Sequence, residues 1–342
     1  MITTKMQRFG CFVAAAVGML LCADSGTAAD KTFFKGKVVE LVVCTKVGGV
    51  YDTEARLIAP YLQKQLPGSK VIVRNVPGGG HIVGANRVWG ARPNGLTIAS
   101  ANVPGLIAAQ IRGEEGIRFD LRKFTWIGRL YTNHRFLIAR KKAGFDTIEP
   151  FLKGDREFKI GVEGVGSGPY NTGLLMAEAL GLKKVRMITG YGGGDKVMGL
   201  IRKEIEGVIG GLDFWAESVT EGEAAALFTF DAKRYPKMSN VPTLGELVKT
   251  PKGKAIANYI SGESELSRSF FTPPNMPEDM TRVLRTAFMK ALQDENLKKS
   301  IAKMGREPFD PLPGDEVGKR VSAALSLTPD VANLIKEVAK EL

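Results

Sequence analysis

Histidine is nearly absent from this 342-residue chain: there are two, His81 and His134. Two imidazoles leave little material for acid–base or nucleophilic catalysis, since a serine or cysteine nucleophile needs a base within hydrogen-bond reach. Cysteine is as scarce, with three in the whole sequence. Two of them, Cys11 and Cys22, fall in an N-terminal stretch expected to be removed, which leaves Cys44 alone and excludes an internal disulfide. No H-E-x-x-H, no C-x-x-C and no carboxylate triplet occurs at metal spacing, so no metal and no cofactor are expected. G-x-x-x-x-G-K-[ST] is also missing, which excludes a P-loop.

The N-terminus places Lys5 and Arg8 before the apolar run CFVAAAVGMLL (11–21), followed by Thr27-Ala28-Ala29. That is the pattern of a secretory signal cleaved before Asp30, and the run is too short to span a bilayer. A lipoprotein signal ending at Cys22 is the competing reading, and Leu21 matches it poorly. Export then sets the compartment, the periplasm.

Removing residues 1–29 takes two of 48 basic and one of 36 acidic side chains, leaving 46 against 35. Nucleic acid is one partner for such charge, but no basic run is interleaved with stacking aromatics, and none is expected. Small anions or anionic lipid fit an exported basic protein better.

Along the chain, short β-rich runs alternate with helical patterns. Strands are expected at 38–44, 70–76, 96–103, 158–163, 185–190 and 205–211, with helices at 53–66, 171–180 and 194–204 between them. This rhythm predicts an α/β fold with parallel sheets and crossover helices. Pro60 is expected to kink or split the first helix. A Pro-rich stretch at 270–279 leads into one amphipathic helix at 280–305 capped by Gly305, and a last helix covers 330–342.

Glycine is plentiful, and its placement carries the functional signal. The first loop, CTKVGGVYDTEAR (44–56), ends a buried strand in Gly48 and Gly49 and opens a helix, with Val47 and Val50 beside them. Tyr51 offers a hydroxyl and a ring wall, and Asp52 suits the N-cap of a helix starting at Thr53. Orphan amides and a partial positive charge at such a helix start make an anion seat. The second loop, NVPGGGHIVGANRV (75–88), reads G-x-G-x-x-x-G and serves either a ligand or tight helix-to-sheet packing. The third, GVEGVGSGPYNTG (161–173), repeats the logic of the first: Gly164, Gly166, Ser167 and Gly168 precede a helix, with Tyr170 or Asn171 able to cap it. A fourth, GYGGGDKV (190–197), brings Tyr191, and Asp213 follows the strand ending at 210–211. The first and third loops are expected to face each other across a cleft.

The run VELVVC…GGVYDTEARLIAPYLQKQLPGSKVIVRNVPGGG (39–80), then RPNGLTIA (92–99), GVGSGP (164–169), YGGG (191–194) and NVPTLGEL (240–247), resembles the extracytoplasmic solute receptors of tripartite tricarboxylate transporters, the Bug receptors. The resemblance implies a type II periplasmic-binding-protein fold, with two α/β lobes and a ligand cleft between them. It divides the chain into a signal peptide (1–29), a first lobe from 30–131 and 229–342, and a second lobe from 132–228. It implies a receptor, not an enzyme, that takes a small organic carboxylate to the membrane subunits of such a transporter as a monomer. Its ligand positions carry over to Val47, Gly48, Gly49, Val50, Tyr51 and Asp52 in one lobe. In the other they are Gly164, Gly166, Ser167, Gly168 and Tyr170. Closure is expected about strands crossing near 130–135 and 227–231. This chain departs from the family's P-G-G-G loop by reading Val47-Gly48-Gly49-Val50, and Tyr170-Asn171 replace a histidine-leucine pair. The alternative is an exported α/β enzyme, a hydrolase or phosphate-handling protein, using Ser167 or Cys44.

Overall fold

In the computed structural model, residues 31–141, 143–162, 164, 167–192, 194–211, 222–304, 308–327 and 329–340 are described. Strand β1 (Val38–Val43) is the apolar run before the first glycine loop. It buries Val39, Leu41, Val42 and Val43 on both faces, as a central parallel strand must. Its neighbours are β2 (Lys70–Asn75) and β3 (Thr97–Ser100), both parallel to it. With β4 (Phe124–Arg129), β10 (Ser269–Pro274) and the two-residue β11 (Leu312–Pro313) they form a six-stranded sheet in the order β11-β4-β10-β3-β1-β2. A second, five-stranded sheet runs β7-β6-β8-β5-β9, from β5 (Arg135–Arg140), β6 (Phe158–Gly161), β7 (Val185–Ile188), β8 (Gly207–Gly211) and β9 (Ala224–Thr229).

Neither sheet is purely parallel, contrary to the expectation from the βα rhythm. β10 runs against both its neighbours, and β5 runs against β8 and β9. These are the strands by which the chain enters one sheet from the other, so each arrives from the opposite end. The first crossing lies at 130–134, as expected. The expected second crossing at 227–231 is instead part of the second sheet. There β9 pairs with β5, and Phe230 N still bonds Arg135 O. The chain returns to the first sheet only after the helix Pro251–Leu266, at Ser269.

Among the described residues, the helices before that return are α1 (Val50–Gln65), α2 (Ile82–Trp89), α3 (Val103–Arg112), α4 (Ile148–Lys153), α5 (Gly168–Leu180), α6 (Gly194–Ile201), the short helix Leu244–Leu247 and the helix Pro251–Leu266. Pro60 lies inside α1 without splitting it. The single helix expected at 280–305 is two, Glu278–Leu292 and Glu295–Lys303, because Asp294 caps the second by accepting from Asn296 N at 2.9 Å. Gly305, its expected end, lies outside the described residues.

One apolar cluster joins both sheets. It unites Phe124, Trp126 and Phe271 with Phe158, Ile209 and Phe228, and the helix Pro251–Leu266 adds Ile256, Tyr259 and Ile260 between α3 and α5. Each such buried side chain stabilises the fold by roughly 1.5–3 kcal/mol. The crossing itself is pinned. Buried Arg129 donates to Glu265 O at 3.0 Å and to Asp310 Oδ2 at 2.9 Å, while Asp310 also accepts from Thr132 N (2.7 Å) and Thr132 Oγ1 (2.8 Å).

Candidate functional site

The loops after β1, β2 and β3 converge at the C-terminal edge of the first sheet, where open α/β sheets place ligands. Gly48 takes φ +85°, a left-handed turn that suits glycine, and Gly49 is the N-cap of α1, contributing no side chain. The helix therefore starts at Val50, three residues earlier than expected, and Asp52 is not its N-cap. Asp52 sits in the first turn and reaches back, accepting from Gly48 N at 2.9 Å, Arg56 Nε at 3.1 Å and Asn75 Nδ2 at 2.9 Å. Its carboxyl is 2% exposed. Burial works to raise its pKa, but the bonds from Arg56, Gly48 and Asn75 outweigh burial and hold it below the usual carboxylate range. Asp52 shapes the loop. The amides of Gly49, Val50 and Tyr51 find no acceptor among the described residues, so the donors of the predicted anion seat are free. Val47 and Val50 stand exposed beside them, at 70% and 42%.

The ring of Tyr51 is packed between two side chains from far away. His81, from the loop after β2, meets it edge-on at 5.8 Å between centroids, and the Arg268 guanidinium lies over it at 4.4 Å. The Tyr51 hydroxyl donates to Asn102 Oδ1 at 3.5 Å, and His81 Nδ1 accepts from Asn102 N at 3.4 Å, which ties all three loops together. Arg268 is held by buried Glu54, whose Oε1 lies 3.3 Å from its Nε and also accepts from the Tyr131 hydroxyl. Burial opposes the Arg268 charge, but Tyr51, Glu54 and Tyr131 more than restore it and push its pKa up.

Gly84 of the second glycine loop serves packing. A Cβ there would stand 2.5 Å from Cys44 Sγ, so glycine is what lets α2 lie against the end of β1. The Cys44 thiol is buried and pushed up to about 12 by that burial, which leaves it protonated and a poor nucleophile.

The third loop is built differently. Ser167 is the N-cap of α5, and its Oγ accepts from Tyr170 N at 3.4 Å, so neither Tyr170 nor Asn171 caps. Pro169 has no amide hydrogen, and the Tyr170 ring packs in the shared apolar core. Gly164 accepts from Ser167 N at 3.2 Å, and the Gly168 amide is free among the described residues. Tyr191 turns its hydroxyl to Glu204 Oε2, 2.9 Å away within its own lobe. Gly166 and Asp213 lie outside the described residues.

Arg135, expected only as a hinge residue, ties the crossing to α5 and to the helix Pro251–Leu266. It donates to Thr172 Oγ1 of α5 at 3.2 Å and to Ser264 Oγ at 3.4 Å, and pairs with Glu263 at 3.4 Å. His134 Nδ1 lies 2.6 Å from Asp231 Oδ2, and Ser167 Oγ accepts from the Tyr170 amide. Among the described residues, no three His, Cys, Asp or Glu side chains are grouped to hold a metal ion. No helix among them is long and apolar enough to cross a membrane.

Residues 54–317 match the family model described as the tripartite tricarboxylate transporter family receptor. The protein encoded in the gbd 5′ region of Cupriavidus necator, UPF0065, is 25% identical over 305 residues, 87% of either chain. Among solved structures, a TctC solute binding protein from Polaromonas superposes with a TM-score of 0.71 at 20% identity, covering 90% of this chain and 99% of that one. MatC from Rhodopseudomonas palustris, solved with bound malate, gives a TM-score of 0.60 at 21% identity over 90% of this chain and all of that one, 100%. The fold is thus that of the periplasmic binding proteins, two α/β lobes built on the two sheets.

Proposed function

The chain belongs to the tripartite tricarboxylate transporter receptor family, and from that premise we propose that it captures a small organic carboxylate and delivers it to the membrane subunits of such a transporter. The observation that carries this reading is the open row of amides at Gly49, Val50 and Tyr51 at the start of α1. Three N–H groups and the helix dipole favour a carboxylate there, and lobe closure strengthens those bonds by excluding water. In this reading Ser167 and Gly168, at the start of α5, supply the opposing wall. The carboxylate bound to MatC is malate, which supports the same ligand class for this site.

In this reading the protein works in the periplasm, exported by the signal at 1–29, as a monomeric receptor and not an enzyme. One lobe holds 30–131 and the C-terminal part of the chain. The other is centred on 132–228, and the helix Pro251–Leu266 forms a wall common to both.

A thermal-shift screen of residues 30–342 against mono-, di- and tricarboxylates, with phosphate and nucleotides as controls, tests it. A ligand that binds only the native state raises the melting temperature by mass action. The sharpest variant is Val50→Pro. Proline is tolerated at the first helical position, and Gly49 already has the extended ψ of 169° that a following proline demands. It deletes one amide donor and leaves the fold. A carboxylate shift that shrinks in Val50→Pro supports the receptor; a shift with phosphate or nucleotide and none with any carboxylate overturns it.

A further inference from the structure

Away from the seat, the first lobe contains a second hollow. It lies between the helix Glu295–Lys303 and the segment 308–311, over the end of the helix Glu278–Leu292, and its volume is about 500 Å³. None of its described lining residues comes from the loops after β1, β2 or β3. Protein interiors leave few voids larger than a water molecule, whereas ligand pockets run from roughly 300 to 1,000 Å³. The hollow is therefore of ligand size.

Its lining has two chemistries. The inner part is apolar: Leu292 and Ile301 turn buried side chains to it, and Phe309 and Pro311 close the other side. Lys298 and Lys299 stand exposed at its lip. Glu295 accepts from Lys298 Nζ at 2.8 Å, but Lys299 pairs with no acid among the described residues, and no acidic side chain among them lines the hollow. An apolar interior under a cationic lip fits a molecule with a hydrocarbon body and one anionic head. Each CH₂ taken from water there raises affinity about fourfold, and the lysines favour a negative head over a neutral or positive one.

The hollow also lies against the clasp of the first crossing. Phe309 and Pro311 flank Asp310, which holds Arg129 and Thr132, and the Phe309 ring faces that of Tyr131 at 6.4 Å between centroids. A molecule seated there fills the space behind the segment that pins the two sheets together.

We infer that this hollow is a binding site for a single-chain amphiphile with one anionic head, separate from the seat on α1. The chain of the ligand lies on Leu292, Ile301 and Phe309, and its head meets Lys298 and Lys299. The site does not depend on the carboxylate-receptor reading.

Fluorescence titration of residues 30–342 with anilinonaphthalene sulfonate, an apolar body with one anionic head, tests it, followed by displacement with octanoate, octanol, octylamine and malate. Octanoate is expected to displace the probe with a dissociation constant below about 1 mM, about threefold tighter than octanol, as exposed lysines allow, and octylamine to be weaker still. Malate, which has almost no apolar body, displaces none. Ala302 is an exposed helix position that lines the hollow, so Ala302→Trp fills it, keeps the wild-type melting temperature and lowers octanoate affinity at least about tenfold. The double variant Lys298→Gln, Lys299→Gln keeps the hollow open, removes the advantage of octanoate over octanol and leaves octanol unchanged. Octanoate affinity unchanged in Ala302→Trp overturns the site, as does octanol or octylamine matching octanoate in the wild type. Displacement by malate overturns it too, because the probe would then occupy the cleft. Each of these results leaves the receptor reading standing.

Discussion

The two helices that open toward the candidate site begin in opposite ways. α1 is entered through Gly48 and Gly49, with no side-chain cap, and its first-turn carboxylate, Asp52, bends back to hold the Gly48 amide. Three amides are left for a ligand. α5 is entered through Ser167, which spends its hydroxyl on the Tyr170 amide, and through Pro169, which has no hydrogen to give. Little beyond the Gly168 amide is left. Two loops with similar glycine spacing thus leave different groups open: the first leaves three amides without an acceptor among the described residues, the third little beyond one.

The strongest way to break this contrast is Asp52→Ala. It removes an acceptor that is 2% exposed and holds three donors, so it is expected to cost about 2–3 kcal/mol of stability and to weaken carboxylate binding, read by urea denaturation and titration. Because the folded pKa of Asp52 is depressed, its contribution is complete above the unfolded carboxylate pKa near ~4 and is lost as pH falls through the lower folded value. Asp52→Ala is therefore expected to flatten the acid limb of the stability curve below about pH 4.

Smaller is the effect of Ser167→Ala, which removes one N-cap at about 1 kcal/mol. If α5 is only a wall, its ligand affinity falls less than that of Val50→Pro; an equal or larger loss in Ser167→Ala would mean that the third loop grips the ligand as firmly as the first. The finest distinction comes from His81. Burial holds its folded pKa at about 4, below the ordinary imidazole value near 6.5, so the unfolded chain binds the proton first and stability drains away as pH falls from 6.5 toward 4. Subtracting the melting-temperature profile of His81→Asn from that of the wild type isolates this loss. A flat difference profile across that range would show that the imidazole is not held neutral beside Tyr51.

Much of the scaffold was legible. All six expected strands are present, as are the helices at α1, α5 and α6, because apolar runs broken by glycine are local signals. β4, β5 and β10 were not foreseen, and β9 only as a crossing near 227–231. RFLIAR (135–140) carries an arginine at each end, and SFFTPP (269–274) ends in two prolines that read as a break, yet Phe270 and Phe271 lie in cores formed with residues more than a hundred positions away. The helix Pro251–Leu266 escaped notice for the same reason: its buried face only makes sense against α3 and α5.

The site divides along the same line. Glycine at 48 and 49, serine at 167 and a helix after each were determined by the sequence, since turns and caps depend on a few neighbouring dihedrals and one side-chain oxygen. Which groups surround the seat was decided by the tertiary structure alone. Tyr51, His81 and Arg268 come from three separate stretches, and nothing local marks them as partners. They meet because two reversed strands, β5 and β10, carry the chain across and back, and because only a packed interior can hold residues such as His81 and Arg268 in backbone conformations they would otherwise avoid.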